Sequence, residues 1–294
     1  MSNTAQKKVA ITGATGFVGS HLQEMLRAKG WQVVMLGRPD FRLEPAGLAQ
    51  KMDGAAAVIN LAGAPVIARW SDAHKVEMRE SRIALTRKLV RAMEKMAQPP
   101  EVFISTSALG YYGSTGIHSE EQAVKGEGFL AQLAQEWEEE ALKAEGLNIR
   151  TVIFRFAVIL GKNGGALKKM LLPFKMGLGG IIGSGKQAFS WVHIHDLLQA
   201  QLAALESETY QGVYNLTAPK PTNNYDFTKT LGKVLRRPTL FPVPTFILKI
   251  IFGEGASILA DGQAAVPKRL LDSGFVFAFP DLEGALRDCT GRGK

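Results

Sequence analysis

Three glycines near the start of the chain constrain its fold more than any other feature. Gly13, Gly16 and Gly19 are spaced three residues apart. They follow a short apolar run, Lys8–Thr12, and precede residues 20–29, whose apolar positions repeat with helical spacing. In such a unit the first glycine permits the turn, the second lets the backbone approach a pyrophosphate, and the third permits close packing of the helix. The pattern predicts a dinucleotide-binding turn; the alternative is a glycine-rich turn without a ligand.

Strand-like and helix-like segments alternate through the following two hundred or so residues. The predicted strands are residues 32–36, 57–61, 101–105, 148–156 and 213–216. The predicted helices are residues 72–96, residues 130–145 and a third helix that begins within the 191–196 segment and ends at residue 205. Strands that alternate with helices at this spacing imply a parallel sheet covered on both faces. We therefore predict an α/β fold of Rossmann type, with a doubly wound parallel sheet and a smaller, mainly helical C-terminal lobe.

The composition changes after Gly161 and indicates two parts. Residues 162–185 are rich in glycine, and the region from Pro219 onward combines several prolines with short helical patterns. The predicted parts are a dinucleotide-binding domain over residues 1–164, completed by 190–218, and a substrate lobe over 165–189 and 219–294.

Charge and cysteine content exclude several classes of protein. The net charge is +8, but the Lys and Arg residues are scattered among acidic ones and no basic run alternates with aromatic residues. We therefore predict no nucleic-acid partner, although the excess charge would attract anionic ligands. Cys289 is the single cysteine, so neither an internal disulfide nor a cysteine-rich metal site is expected, which fits a cytoplasmic protein.

The most apolar late stretch, residues 246–252, does not predict a membrane span. It contains Lys249 and is far shorter than the roughly 20 apolar residues that cross a bilayer. A buried helix is the first interpretation, and a contact in a homodimer is the second. Residues 1–8 are polar and lack the apolar run of a secretory signal.

Two segments beyond the glycine turn are expected beside the cofactor. Gly37 and Arg38 end the second strand, where NAD-binding folds place an Asp or Glu that bonds the ribose 2′-hydroxyl. A guanidinium there suits a 2′-phosphate, so we predict NADP(H) rather than NAD(H), unless Arg38 is only an exposed loop charge. The small residues of the 60–63 segment would let backbone lie close to the dinucleotide, although a tight turn has the same pattern.

Together these motifs resemble those of the extended short-chain dehydrogenase/reductase superfamily. The motifs are the glycine turn and residues 60–63, 105–113, 155–161 and 191–196. More narrowly, the chain is similar to the sugar-nucleotide epimerase-like branch that carries a C-terminal domain of unknown function. The tail segments that carry this similarity are residues 243–244, 252–254, 266–270 and 274–286.

The resemblance implies a bound NADP(H) and a small-molecule substrate in a cleft between the two lobes. Arg82 occupies a position where typical members carry Asn, and Ala157 and Val158 would lie near the nicotinamide end. The residues implied near the cofactor are Gly13, Thr15, Gly16, Phe17, Val18, Gly19, Gly37, Arg38, Leu61, Ala62, Gly63, Glu77, Arg82, Ala157 and Val158.

The catalytic residues of the superfamily are only partly present. Its reductases use a Ser and a Tyr with a Lys four residues later, and by position Ser107 matches the Ser. Leu130 and Ala134 occupy the places of the Tyr and the Lys, and neither transfers a proton. Tyr111 and Tyr112 are the substitute proton donors. The alternative for the two tyrosines is a packed aromatic pair that shapes the cleft. The alternative for Ser107 is a cap at the strand end.

No metal site is predicted from the histidines of the 191–196 segment. In a strand, His193 and His195 would point the same way, and Asp196 follows them. Two ligands on one strand are too few without a clear third. We interpret Asp196 as a helix start and the histidines as residues that pack in or line the cleft.

Two functions of different classes remain open. The first is an NADP(H)-dependent oxidoreductase or epimerase-like enzyme that transfers hydride to or from a carbonyl or alcohol carbon, in which the substrate could be a nucleotide sugar. The second is an NADP(H)-binding redox sensor or scaffold without turnover, which the missing Tyr–Lys pair favours.

Overall fold

The computed structural model describes residues 7–292, so residues 1–6 and 293–294 of the predicted parts lie outside the described residues. The strands are β1 (Lys8–Thr12), β2 (Gln32–Leu36), β3 (Ala57–Asn60), β4 (Val102–Ala108), β5 (Ile117–His118), β6 (Arg150–Phe156), β7 (Val158–Leu160), β8 (Trp191–His193), β9 (Gly212–Leu216) and β10 (Ala264–Ala265). The helices are α1 (Phe17–Ala28), α2 (Pro45–Met52), α3 (Asp72–Arg79), α4 (Leu85–Glu94), α5 (Phe129–Leu142), α6 (Gly165–Lys175), α7 (Ile194–Glu206), α8 (Asn224–Leu235), α9 (Thr245–Phe252), α10 (Ser257–Ala260), α11 (Lys268–Asp272) and α12 (Leu282–Thr290).

The central sheet has the order β2-β1-β3-β4-β6-β9, and its neighbouring strands are parallel. Helices α1 and α7 cover one face, where Ile11 and Ile104 lie in the core. Helices α2, α4 and α5 cover the other face, where Ala10 and Phe103 lie in the core. Alternate residues of each strand therefore enter two separate apolar layers. The predicted doubly wound α/β fold is confirmed.

The strand register produces a polar row on the face covered by α4 and α5. Thr12, Asn60 and Ser105 are paired across β1, β3 and β4. Two residues further along β4, another matched set, Ser107–Arg155–Asn215, crosses β4, β6 and β9. Paired residues of parallel strands point to the same face, so these side chains adjoin at the carboxyl edge of the sheet. Ligands of open α/β sheets bind at this edge.

Beyond the central sheet, a third apolar core joins α6, α8 and α12 around Trp191. Two short parallel ladders, β7–β8 and β5–β10, lie outside the central sheet. The buried carboxylate of Asp196 accepts backbone N–H groups of Ala278 and Phe279, at 2.8 and 3.0 Å, and so holds the C-terminal segment to the start of α7. The boundary between the two predicted parts stays a prediction.

The apolar stretch of residues 246–252 belongs to α9. Leu248 is buried, but Phe246 and Ile250 are 61% and 68% exposed. The interpretation of this stretch as a buried helix is therefore wrong for those two positions, and the side chains of residues 249, 251 and 252 lie outside the described ones. The homodimer contact stays a prediction. Nowhere within residues 7–292 does a helix combine the length and apolarity that crossing a bilayer requires.

Candidate functional site

The glycine turn is held together by contacts that only glycine permits. Gly13 has φ +65°, and a Cβ there would lie 2.8 Å from the backbone carbonyl of Leu61. A Cβ at Gly19 would lie 2.2 Å from the Gly13 carbonyl oxygen. Gly19 therefore lets α1 pack closely against the turn that follows β1. Helix α1 begins immediately after Gly16, three residues earlier than predicted, because Gly16 has the extended conformation of a helix cap.

The N-terminus of α1 carries no side-chain cap. Gly16 lacks a side chain. The two backbone hydrogen bonds that start the helix run from the Gly16 N–H to the Gly13 carbonyl and from the Ser20 N–H to the Gly16 carbonyl. Neither bond uses the first-turn N–H groups of the residues between Gly16 and Ser20. Thr15 is exposed in the turn, and Val18 packs against the core behind it. Helix N–H groups without protein acceptors are suited to bind phosphate oxygens.

A buried hydrogen-bond chain fixes the loop that faces this turn. Thr12 Oγ1 donates to Asn60 Oδ1 at 2.7 Å and accepts the N–H groups of Leu61 and Ala62, both at 3.1 Å. Asn60 Nδ2 donates in turn to Thr86 Oγ1 at 2.8 Å. The sequence analysis missed Thr12 and Thr86. The signal for Thr12 was a polar residue at the end of the apolar strand β1, beside Asn60 at the end of the neighbouring strand β3. Thr86 lies on α4, and no local sequence signal marks it.

Arg82 is a buried cation beside the same loop. It lies in a π-helical turn, Glu80–Ala84, that interrupts the predicted 72–96 helix, and such turns are frequent at functional sites. Its Nη2 donates to the Ala64 carbonyl at 2.9 Å, and a Cβ at Gly63 would lie 2.9 Å from that nitrogen. No carboxylate pairs with it in the described part of the chain, and burial lowers its pKa to about 10. Its remaining N–H donors suit an anionic ligand.

The end of β2 presents an unpaired cation and a neighbouring acid. Arg38 is exposed and bonds to none of residues 7–292. The Asp40 carboxylate, which the sequence analysis did not consider, accepts the Gly37 N–H at 2.8 Å and lies 3.8 Å from Lys51 Nζ. The acid is therefore occupied within its own turn and leaves Arg38 free. Glu77 is exposed on α3, and its carboxylate lies 3.2 Å from a ring nitrogen of His74 on the same helix; its place near the cofactor stays a prediction.

Phe17 closes the turn against the loop that follows β7. A Cβ at Gly164 would lie 2.0 Å from the Phe17 ring, so a glycine is needed there. At Ala157 and Val158 the chain leaves the central sheet for the β7–β8 ladder. Ala157 also packs, together with Tyr111, against the small cluster at the end of β4. Ala157, one of the two residues predicted at the nicotinamide end, and the candidate proton donor Tyr111 therefore border the same small cluster.

A buried ion pair lies next to Ser107. Arg155 Nε and Nη2 donate to the two carboxylate oxygens of Glu138 at 2.7 and 2.6 Å. Ser107 Oγ donates to the same carboxylate at 2.6 Å. Burial alone would lower the pKa of Arg155, but the Glu138 carboxylate reverses this, and the pKa is raised. The hydroxyl proton of Ser107 is therefore directed to Glu138.

The two tyrosines have different environments. Tyr112 is 1% exposed; its hydroxyl donates to Asn215 Oδ1 at 2.7 Å and accepts from Arg155 Nη1 at 2.8 Å. Burial raises the pKa of Tyr112. Tyr111 is half-buried, and its ring lies 3.5 Å from the Arg155 guanidinium carbon. Its hydroxyl bonds to no residue within the described range 7–292. Tyr111 therefore has a free hydroxyl, whereas the hydroxyl of Tyr112 is occupied in the core.

Helix α5 carries apolar residues at the two positions where the superfamily has its catalytic Tyr and Lys. Leu130, Ala134 and Glu138 are four residues apart and so share one helix face. Leu130 packs on Gly110, next to Tyr111, and Ala134 is buried. Glu138 therefore lies one helical turn beyond Ala134, on the face that carries both apolar residues. The sequence analysis missed Glu138 and Arg155, whose signals were an acid on an apolar helix face and an arginine near the end of an apolar strand.

The two histidines do not lie on one strand, because β8 ends at His193 and α7 begins at once. His193 Nδ1 accepts the His195 N–H at 3.2 Å, which assigns the ring proton to Nε2, 3.2 Å from Asp288 Oδ2. Burial lowers the pKa of His193 and raises the pKa of the neighbouring Cys289 thiol to about 12. The grouping of His193, Asp288 and Cys289 thus has no free lone pair on Nε2 for a metal.

Comparisons with known proteins match both parts of the chain. Residues 9–217 match the NAD dependent epimerase/dehydratase family, and residues 243–289 match a domain of unknown function (DUF1731). The chain is 40% identical to the chloroplastic epimerase family protein SDR39U1 homolog of Arabidopsis thaliana, over 96% of this chain and 86% of that protein. It is 38% identical to the epimerase family protein YfhF of Bacillus subtilis (strain 168), over 95% of this chain and 96% of that protein.

A solved structure gives the same result. The crystal structure of the human epimerase family protein SDR39U1 (isoform 2) with NADPH superposes with a TM-score of 0.89 at 33% identity, and the match covers 97% of this chain and 100% of that chain. The resemblance drawn from the sequence motifs is confirmed. The chain belongs to the NAD dependent epimerase/dehydratase family and carries the C-terminal domain of unknown function in residues 243–289.

Proposed function

We propose that this protein binds NADP(H) and transfers hydride between the cofactor and a carbonyl or alcohol carbon of a small-molecule substrate. The observation that carries the proposal is the uncapped N-terminus of α1, which Gly13 and Gly19 hold against the loop after β3. Its free N–H groups favour a pyrophosphate. The human relative crystallised with NADPH supports the same choice of cofactor.

Two arginines suit the anionic parts of this cofactor. Arg38, exposed and unpaired to any of residues 7–292, would bond the 2′-phosphate. Arg82 is buried beside Gly63 and has no acidic partner among residues 7–292. It would bond a second anionic group of the cofactor. When bound, NADP(H) supplies or accepts the hydride, and the protein contributes position and charge.

Tyr111 is the residue that we assign to proton transfer. Its hydroxyl bonds to none of residues 7–292, and its ring borders the same small cluster as Ala157, which is expected at the nicotinamide end. The Arg155 guanidinium lies under its ring and fixes it by a cation–π contact. Ser107 and Tyr112 act as positioning residues, because their hydroxyls bond to Glu138 and Asn215.

A redox sensor or scaffold without turnover is the second candidate, and the apolar Leu130 and Ala134 favour it. Incubation of the protein with NADPH and a panel of carbonyl compounds separates the two functions. Oxidation of NADPH supports the enzyme. Retention of NADPH by protein that binds it tightly supports the sensor.

Gly19→Ala tests the cofactor site. The added methyl group would lie 2.2 Å from the Gly13 carbonyl oxygen, so the turn must shift away from the phosphate-binding geometry. An overpacked contact costs about 1–3 kcal/mol, and if that cost falls on the bound geometry, NADPH binding weakens roughly 5- to 150-fold. Titration calorimetry measures the effect. The matched control is Gly146→Ala, whose Cβ meets nothing within 4 Å; equal affinities of the two variants would contradict the assigned site.

Arg38→Ala tests the choice between NADP(H) and NAD(H). Loss of a hydrogen bond between two charged groups costs about 1.5–3 kcal/mol, so we expect NADPH binding to weaken about 10- to 100-fold. NADH binding should change by less than about twofold, since NADH lacks the 2′-phosphate that this bond requires. The control is Arg27→Ala, which removes an exposed charge at the opposite end of α1. Equal weakening of both nucleotides would refute the role of Arg38.

A further inference from the structure

An apolar cavity of about 260 Å³ lies along α6. Its walls include Ala166, Met170 and Phe174 from α6, Ile67 from the loop after β3, and Ile182. Lys169 is the one charged residue in the described lining. The function proposed above does not use this cavity, and no residue of its lining was predicted from the sequence as part of a site.

The position of the cavity connects it to the cofactor cleft. Ile67 follows Gly63 by four residues on the same loop, and Lys169 Nζ reaches the Ile67 carbonyl at 3.5 Å. On the other side, α6 begins at Gly165, in the glycine loop that Phe17 packs against. Both walls of the cavity therefore extend directly from segments that we assign to cofactor binding.

The lining is poorly suited to a nucleotide sugar. Sugar hydroxyls and a diphosphate each need hydrogen-bond partners when they leave water, and unpaired polar groups in an apolar cavity lower affinity. Among the described lining residues, Lys169 has the only side chain that could supply such a partner. This lining favours a ligand with an apolar body, and the exposed Lys169 favours an anionic group on that ligand.

The volume sets the size of that apolar body. A dry engineered cavity of about 150 Å³ holds one benzene molecule. A cavity of about 260 Å³ therefore accommodates an aromatic ring with a short aliphatic extension.

We propose that the substrate of this protein is a carboxylate-bearing carbonyl compound with an apolar, ring-sized body, and that this body occupies the cavity along α6 with its carboxylate facing Lys169. The assignment of a substrate, as distinct from a ligand, rests on the hydride-transfer function proposed above. In the reductive direction, the carbonyl carbon takes a hydride from NADPH and the oxygen takes one proton, which gives the alcohol and NADP⁺.

Binding of four probes to protein saturated with NADP⁺ tests this proposal by titration calorimetry. Phenylpyruvate has the ring, the carbonyl and the carboxylate; benzylacetone lacks the carboxylate, pyruvate lacks the ring, and UDP-glucose is the nucleotide sugar. We expect phenylpyruvate to bind most tightly, benzylacetone about two- to fivefold more weakly, and pyruvate at least about tenfold more weakly, because one exposed charge contributes less than a buried ring. We expect no binding of UDP-glucose.

Two variants test whether phenylpyruvate binds in this cavity. Ala166→Phe fills it and should weaken phenylpyruvate binding at least about tenfold. Lys169→Met should reduce phenylpyruvate binding about two- to fivefold, to the level of benzylacetone, without affecting benzylacetone. Lys169 is exposed, so this second variant remains informative if Ala166→Phe does not fold. Leu172→Ala, on the outer side of α6 and 65% exposed, is the control.

The outcomes separate this proposal from the hydride-transfer function. Binding of phenylpyruvate that both cavity variants weaken, without oxidation of NADPH by any carbonyl compound, would support the apolar site and reject the enzyme. Oxidation of NADPH without any binding of phenylpyruvate would retain the enzyme and overturn the apolar site. Binding of UDP-glucose, or phenylpyruvate binding that both variants leave unchanged, would also overturn it.

Discussion

Tyr111→Phe is expected to lower kcat with a carbonyl substrate by about 10²- to 10⁴-fold, the usual contribution of a positioned general acid. The substitution removes only the hydroxyl, which bonds to no other part of residues 7–292, so the ring stays on the Arg155 guanidinium. NADPH affinity should therefore stay within about twofold of wild type. Rates of NADPH oxidation at saturating substrate, together with calorimetric NADPH affinity, measure the two effects.

Tyr225→Phe is the matched control for this prediction. Tyr225 is half-exposed on α8 and contacts Lys229, away from the tyrosine pair after β4. It should retain wild-type rates. A Tyr111→Phe protein with the same kcat as this control would remove Tyr111 from the proposed chemistry. Failure of the wild-type protein to oxidise NADPH with any carbonyl compound would instead favour the sensor.

Glu138→Ala is expected to lower the free energy of unfolding by about 3–5 kcal/mol, because it leaves the Arg155 guanidinium buried without its carboxylate. It also removes the acceptor of the Ser107 hydroxyl. A domain is stabilised by about 5–15 kcal/mol in all, so the loss is a large share of the total. Urea denaturation followed by circular dichroism measures it.

Two further proteins determine whether the effect comes from the buried charge. Glu139→Ala removes the next acid along α5, which is exposed, and should change stability by less than about 0.5 kcal/mol. The double variant Glu138→Met with Arg155→Met removes both charges and should recover about half of the loss or more. A Glu138→Ala protein as stable as Glu139→Ala would show that the ion pair contributes nothing.

Local requirements of the backbone explain what could be predicted. The alternation of strands and helices depends on the chemistry of neighbouring residues, and so does the turn at Gly13, Gly16 and Gly19. The start of α1 was placed three residues late because apolar periodicity is weak in a first turn that begins with a glycine cap. Arg38 could be selected as a candidate because it directly follows a predicted strand.

Contacts between distant segments explain what could not be predicted. Glu138 meets Arg155 only because α5 packs on the sheet face toward which Arg155 points. Thr12 and Thr86 enter one hydrogen-bond chain because β1 and β3 are neighbours and α4 covers them. In each case the register of the sheet selects the partner, and no short stretch of sequence encodes that register.

The amino-acid sequence alone therefore determined the fold class, the family and the glycine turn, because each follows from residues that are near one another in the chain. It proposed Tyr111 and Tyr112 as equivalent candidates, since adjacent residues of one type have the same local chemistry. Only the tertiary structure distinguished them, because packing buries the Tyr112 hydroxyl against Asn215 and leaves that of Tyr111 free within the described residues. The apolar cavity along α6 was likewise a tertiary result, since its walls come from segments about a hundred residues apart.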